Sequence, residues 1–228
     1  MLKGICHISQ IPVRAEPKSS SEMVSQLLYG ETYKVLRKEN EWFQIAMDFD
    51  GYVGWISNAS FYDFIEVETV VQTSLHKVGF NNIIPGIPLI SSLGSNIPFF
   101  EVNDKLKLLD LIKSFVGTPY LWGGRHYSGI DCSGFVQVTY KCIGVNLPRD
   151  ASQQQKVGKA LRFSDIKQGD LVFFQKNEKI GHVGIALNNK EIIHAHGMVR
   201  IDKLTKKGII NSATSELTHQ YYSAKRVR

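Results

Sequence analysis

Cys132 is the residue in this chain with the clearest means of doing chemistry. It follows Asp131 and precedes Ser133-Gly134. Asp is a strong N-cap, so the spacing predicts a helix that carries the thiol in its first turn. The partial positive charge of a helix N-terminus stabilises a thiolate and can lower a cysteine pKa from ~8.5 toward ~3.5–7.5. Backbone N–H groups there also point to where an oxyanion would form. The plainer alternative is a small buried hydrophobe, and Cys6 and Cys142 are read that way. Cys132 and Cys142 cannot pair within one helix. Ten residues at ~1.5 Å each separate them by ~15 Å, against the ~7 Å a disulfide tolerates. Three cysteines at these spacings read as reduced thiols.

A nucleophilic thiol needs a base. Of the seven histidines, His182 and the pair His194/His196 fall on strands predicted to be adjacent, with a turn near Asn188-Asn189. Strand side chains alternate with period 2, so His194 and His196 share a face. Both join His182 if the intervening loop has odd length. A three-residue loop at 187–189 would set His194 opposite His182. Alternation does not choose between His194 and His196. The rival chemistry is zinc held by these three histidines, and the blandest reading is exposed strand histidines without a role. No carboxylate accompanies them at a familiar metal spacing, so no metal and no cofactor are expected.

The surrounding pattern supplies elements to position these groups. Residues 1–64 read as short strands (4–14, 23–29, 32–37, 42–47 and 52–56) with tight turns, which suggests a small antiparallel barrel. Residues 65–102 hold strand-like pieces at 67–72 and 98–102 around a Pro/Gly-rich stretch. From Asn103 or Asp104, apolar residues recur at helical spacing until Gly117 and Pro119. The Asp131 helix runs to Gly144, and a short helix covers 150–157. Strands follow at 170–175, 182–187, 192–196 and 220–227. Helices first and an antiparallel sheet afterwards make an α+β domain. The domains are therefore expected at 1–103 and 104–228.

Composition excludes several functions. With 228 residues, 43% hydrophobic, and a net charge of +6, the chain is an ordinary globular protein rather than a disordered or disulfide-dense one. No apolar run reaches the ~18–20 residues of a membrane span; Pro85, Gly86 and Pro88 break the nearest. The basic tail (Lys203, Lys206, Lys207, Lys225, Arg226, Arg228) has no nucleic-acid motif beside it and reads as solvated surface. An anionic substrate suits a basic protein. After Lys3 the apolar stretch fails at His7, Ser9, Gln10 and Arg14, so no secretory leader is visible. The expected place is the cytoplasm, or outside it if a leader has been removed.

Six stretches, in order, resemble the NlpC-type (NlpC/p60) cell-wall cysteine peptidases. They are Thr118-Pro119-Tyr120-Leu121-Trp122-Gly123-Gly124, Asp131-Cys132-Ser133-Gly134-Phe135-Val136-Gln137, Leu147-Pro148-Arg149-Asp150, Gly169-Asp170-Leu171-Val172-Phe173-Phe174, Gly181-His182-Val183-Gly184-Ile185 and Ile193-His194-Ala195. The segments at 21–31 and 50–56 resemble the bacterial SH3-like barrels that precede this peptidase domain. The resemblance implies a papain-like α+β domain, helices packed on an antiparallel sheet, after the barrel. It implies Cys132 as nucleophile, His182 as base, His194 as the polar residue orienting it, and Tyr120 as an oxyanion-hole donor. Trp122, Asp131, Ser133 and Asp150 match cleft-lining positions. Ala151 stands where some relatives carry Ser, and Ser152 is the neighbouring hydroxyl. Glu22 and Tyr52 are candidates for the substrate's free amine. The implied substrate is a muropeptide with a free N-terminal L-Ala, cut by a monomer between γ-D-Glu and the diamino acid. A wall-lytic endopeptidase and a non-catalytic muropeptide binder are the alternatives.

Overall fold

The computed structural model describes residues 2–63 and 105–227. It divides into two compact units, Met1–Phe99 and Phe100–Arg228. The strand-like pieces expected at 67–72 and 98–102, the helix cap at 103–104 and the expected domain boundary lie outside the described residues. Among the described residues no helix is long and apolar enough to cross a membrane.

The described residues of the first unit form strands joined by turns, with one 3-10 turn at Asn58–Ser60. Its strands are β1 (Lys3–Ile5), β2 (Gln10–Arg14), β3 (Met23–Leu28), β4 (Thr32–Glu39), β5 (Trp42–Met47) and β6 (Val53–Ser57). They form one antiparallel sheet in the order β1-β4-β5-β6-β2-β3. β5 shows why: Phe43, Ile45 and Met47 are buried while Trp42, Gln44 and Ala46 are half-buried, the period-2 alternation of a strand with one face on a core. That core also takes Ile11, Val13, Leu27 and Tyr33, with Tyr52 packed partly against it. The run expected as one strand at 4–14 is two, β1 and β2.

The second unit begins with α1 (Lys105–Ser114), the small hairpin β7 (Arg125–His126) and β8 (Gly129–Ile130), and α2 (Cys132–Lys141). Then come α3 (Ala151–Gln154), β9 (Lys159–Leu161), β10 (Leu171–Lys176), β11 (Lys179–Ala186), β12 (Glu191–His196), β13 (Met198–Thr205), β14 (Gly208–Ile210) and β15 (Leu217–Arg226). Phe115, just after α1, stacks on Tyr127 with ring centroids 4.0 Å apart and meets Phe135 edge-on at 5.5 Å, which docks α1 on α2. The helix expected over 150–157 is only four residues long.

The expected antiparallel sheet is closed on itself. β10 pairs with β11 on one side and with β15 on the other, so β10 to β15 close into a six-stranded barrel with β9 added alongside β15. Closure removes the exposed sheet edges. β9, β13 and β14 were not expected. In β13, Arg200, Asp202 and Lys203 interrupt the apolar pattern that would have marked a strand. Asp170 and Arg226 fasten β15 through two hydrogen bonds of 2.8 and 2.7 Å.

Candidate active site

α2 starts where the sequence places it. Asp131 has extended backbone, and its Oδ1 accepts from the Gly134 N–H at 2.7 Å, the geometry of a side-chain N-cap. The same carboxylate does more. Oδ2 accepts from the Gly123 N–H at 2.9 Å, and Arg149 grips both oxygens, at 3.0 and 2.5 Å. Arg149 also donates to Ser133 Oγ at 2.8 Å. One buried carboxylate thus ties together the Tyr120–Gly124 turn, the start of α2 and the Pro148-Arg149 segment. Gly134 is required by this closeness: a Cβ there would lie 2.2 Å from the Gly124 carbonyl oxygen.

Asp131 and Ser133, expected on the cleft wall, are buried and spend their oxygens on these internal donors. Trp122 is 59% exposed. Asp150 precedes α3, makes no side-chain cap and is half-buried. Ala151 and Ser152 open α3. Tyr120 is half-buried; burial, and the nearness of Cys132 and Asp131, push its hydroxyl pKa up. It therefore stays a proton donor. In the first unit, Glu22 is exposed and Tyr52 half-buried.

Cys132 sits in the first turn of α2, buried, with the Val183 N–H directed at its sulfur. Val183 follows His182 on β11. The β11–β12 register is Ile185↔Ile193 and Ala186↔Ile192. Before Ile185 the ladder stops, which frees the Val183 N–H for the thiol. The sequence argument expected a depressed thiol pKa. The structure reverses that: burial first, then the Asp131 carboxylate, push Cys132 up to about 12 against the opposing pull of Val183, Arg149 and Ser133. Taking the thiol out of water outweighs the helix terminus.

His182 and His194 are both buried, and His182 Nε2 lies 2.8 Å from His194 Nδ1. The loop has the odd length the alternation argument required, but the register is displaced by two residues from a direct match. His194 aligns with Gly184, not with His182, and reaches His182 diagonally. Gly184 permits this: a Cβ there would stand 2.9 Å from His194 Cβ. His196 is exposed, 6.2 Å from His194 between ring centroids. His194 Nε2 in turn lies 3.1 Å from Asp202 Oδ2 on β13.

Two members of this cluster were missed. Asp202 sits on an unpredicted strand, eight residues after His194, and its only sequence signal is sharing the period-2 face of Leu204. His219 had no assigned partner. The structure stacks its ring on His182, centroids 4.0 Å apart and planes 23° from parallel. One nitrogen each from His182, His194 and His219 lies within 4.8 Å of the others, so His219 replaces His196 in the trio considered for zinc. However, 2.8 Å between His182 and His194 is shorter than the ~3.3 Å between two nitrogens held ~2.0–2.1 Å from a tetrahedral ion. That pair is arranged around a proton.

Burial lowers the pKa of His182 well below its ordinary value, helped by the neighbouring imidazoles. It also lowers His194, His126 and, to about 4, His219. The resting site therefore holds a neutral thiol at the Val183 N–H and a neutral imidazole on the preceding residue, His182. The stability consequence has a definite sign. Above pH ~6.5 these rings are neutral folded or unfolded; below it the unfolded chain binds protons that the folded chain excludes. Stability should fall as pH drops from ~6.5 toward 4, by ~1.4 kcal/mol per pH unit for each excluded proton. Thermal melts between pH 7 and 4 measure it, and His219→Asn should make the slope shallower by one proton.

A family model described as "NlpC/P60 family" matches residues 117–225, and one described as "Bacterial dipeptidyl-peptidase Sh3 domain" matches residues 13–61. A murein DD-endopeptidase MepS/murein LD-carboxypeptidase of Escherichia coli K12 is 36% identical over 145 residues, covering 60% of this chain and 73% of that protein. This chain belongs to the NlpC/P60 family. A gamma-D-glutamyl-L-lysine dipeptidyl-peptidase of Bacillus subtilis strain 168 is 28% identical over 212 residues, 75% of this chain and 71% of that protein. An NlpC/P60 family protein of Bacillus cereus ATCC 10987 shares the fold over 99% of both chains, with a TM-score of 0.73 at 18% identity. The NlpC/P60 match spans every residue of the cysteine–histidine cluster, and the SH3 match spans Glu22 and Tyr52.

Proposed function

We propose that this NlpC/P60 protein is a cysteine peptidase that hydrolyses the γ-D-glutamyl–diamino acid bond of peptidoglycan-derived peptides bearing a free N-terminal L-Ala. The observation that carries the chemistry is the burial of Cys132 against the His182–Val183 strand segment, with His182 hydrogen-bonded to His194. The similarity to a gamma-D-glutamyl-L-lysine dipeptidyl-peptidase over most of both chains supports the γ-D-glutamyl–diamino acid bond as the one cut. The papain-like arrangement implied by the motifs agrees with a helix-borne thiol set on a closed sheet.

In this reading His182 takes the Cys132 proton as the sulfur attacks the γ-D-glutamyl carbonyl. A neutral pair suits this order, since the buried thiolate forms only as the new bond does. The Cys132 N–H and the Tyr120 hydroxyl hold the oxyanion. Protonated His182 then gives its proton to the departing amine of the diamino acid, leaving a thioester. Water, deprotonated by His182, releases the L-Ala-γ-D-Glu dipeptide. His194 holds the imidazole in place. Trp122 and Asp150 are the assigned cleft contacts.

Recognition of the free ammonium is assigned to the Glu22 carboxylate with Tyr52. A wall stem carries an amide in place of that ammonium, so a site built for the cation disfavours it. The enzyme would then work on released fragments inside the cell, as a monomer. Mass spectrometry of products from L-Ala-γ-D-Glu-diaminopimelate with free and acetylated N-termini, and from intact sacculi, tests this. Cleavage of the free peptide alone is expected, and equal turnover of all three would overturn it. Glu22→Gln should raise KM by roughly 10–100-fold, the worth of a charge-assisted hydrogen bond of ~1.5–3 kcal/mol. A thiol alkylator should stop turnover and a chelator should not.

A further inference from the structure

The described residues give His182 a longer line of partners than a three-residue site needs. We propose that Asp202 is a positioning residue that, through His194, fixes the proton of His182 on Nε2 and leaves Nδ1 bare to receive the thiol proton. The proposal rests on the cysteine peptidase reading for its catalytic meaning, but its physical content is a proton position and can be measured without substrate.

The argument starts at the carboxylate. Asp202's side chain is wholly buried. Its Oδ1 accepts from the Ser212 N–H at 2.8 Å and from Arg200 Nη2 at 3.0 Å. Arg200 Nε stands 2.8 Å from Oδ2, off the hydrogen-bond direction. Asn211 holds this corner: its Oδ1 accepts from Arg200 Nη2 at 3.0 Å and from the Ala213 N–H at 2.8 Å. Burial alone would raise the Asp202 pKa, but hydrogen bonds from His194, Ser212 and Arg200 outweigh it and keep the group ionised. An ionised carboxylate only accepts.

The rest follows link by link. His194 Nε2, 3.1 Å from Oδ2, must carry a hydrogen. His194 is neutral, so its Nδ1 is a bare acceptor. His182 Nε2, 2.8 Å away, must therefore donate. In a neutral imidazole the other nitrogen then has only a lone pair. Each tautomer is set by its neighbour, and the fixed end is Asp202. The remaining charged or titratable groups around this line are His196 and His219 at the imidazoles, Arg200 at the carboxylate, and Tyr120, Asp131 and Arg149 at the thiol. None of them accepts a hydrogen bond from His194 Nε2.

Asp202→Asn tests the idea with little change of shape. The amide oxygen is required where Ser212 and Arg200 donate. The amide NH₂ is then turned to His194 Nε2, which must become an acceptor. His194 Nδ1 gains the hydrogen, and His182 is left protonated on Nδ1, the nitrogen that should be bare. We expect kcat to fall by about 10²–10⁴-fold with KM little changed, up to the size seen when a triad carboxylate elsewhere is made an amide. The decisive readout is ¹⁵N NMR of histidine-labelled protein at pH 7, with His182 assigned by its loss in His182→Asn. Wild type should show a pyrrole-type Nε2 and a pyridine-type Nδ1, and Asp202→Asn the reverse. A wild-type His182 protonated on Nδ1, an unchanged tautomer in Asp202→Asn, or full activity of that variant would each overturn the proposal. Should the variant fail to fold, the wild-type spectrum alone still decides. Failure of the peptidase reading shows itself elsewhere, as turnover surviving Cys132→Ala, and leaves the tautomers as they are.

Discussion

Replacing Cys132 by alanine should lower turnover of the free muropeptide by about 10⁵–10⁶-fold, to near background, while binding persists. The size follows from how nucleophile and base work as one unit: losing either costs about as much as losing both. The Cys132→Ala/His182→Ala double variant should therefore be scarcely slower than either single one. The alanine removes one sulfur from the first turn of α2 and leaves the N-cap of Asp131 and the Arg149 pair in place, so the fold should survive. Calorimetric titration with the peptide then separates catalysis from binding. A pure binding protein would show wild-type affinity and no turnover in either form. Residual hydrolysis within tenfold of wild type would remove the sulfur from the chemistry altogether.

The second large effect is on stability. Arg149→Met should destabilise the Phe100–Arg228 unit by about 3–5 kcal/mol, the cost of leaving a buried ion without its partner. In melting temperature this is roughly 10–20 °C for a unit of this size. Arg149 is 1% exposed and Asp131 5%, so water cannot replace the lost donors. Met fills much of the volume, which leaves the stranded Asp131 charge as the main defect. Asp131→Asn/Arg149→Met should be less damaging than Arg149→Met alone, because it removes both charges. Arg149→Lys should not rescue fully, since a single ammonium cannot grip both carboxylate oxygens as the guanidinium fork does. Differential scanning calorimetry of wild type, Arg149→Met, Asp131→Asn and the double variant, with Arg149→Lys beside them, measures this coupling. Additive losses would mean that the pair is not a unit.

Arg149 also marks where reading the sequence stopped short. It belongs to one of the six family motifs, yet its pairing with Asp131, eighteen residues earlier, depends on how residues 142–148 bring the chain back. The same holds for the thiol. Its place in the first turn of α2 follows from Asp131 and Gly134, both local. Its raised pKa does not, because desolvation depends on everything packed around the sulfur.

The chain's own order of residues was enough for what depends on neighbours within a few positions. It marked the capped helix of Cys132, the period-2 strands of the first unit, the shared face of His194 and His196, and the six motifs of the NlpC/P60 family. Tertiary structure alone decided the closure of β10 against β15, the diagonal reach of His194 across Gly184, the stacking of His219 on His182, and Asp202 behind His194. These are contacts between segments far apart in sequence. Their partners are chosen by register and burial, which local propensity and alternation leave undetermined.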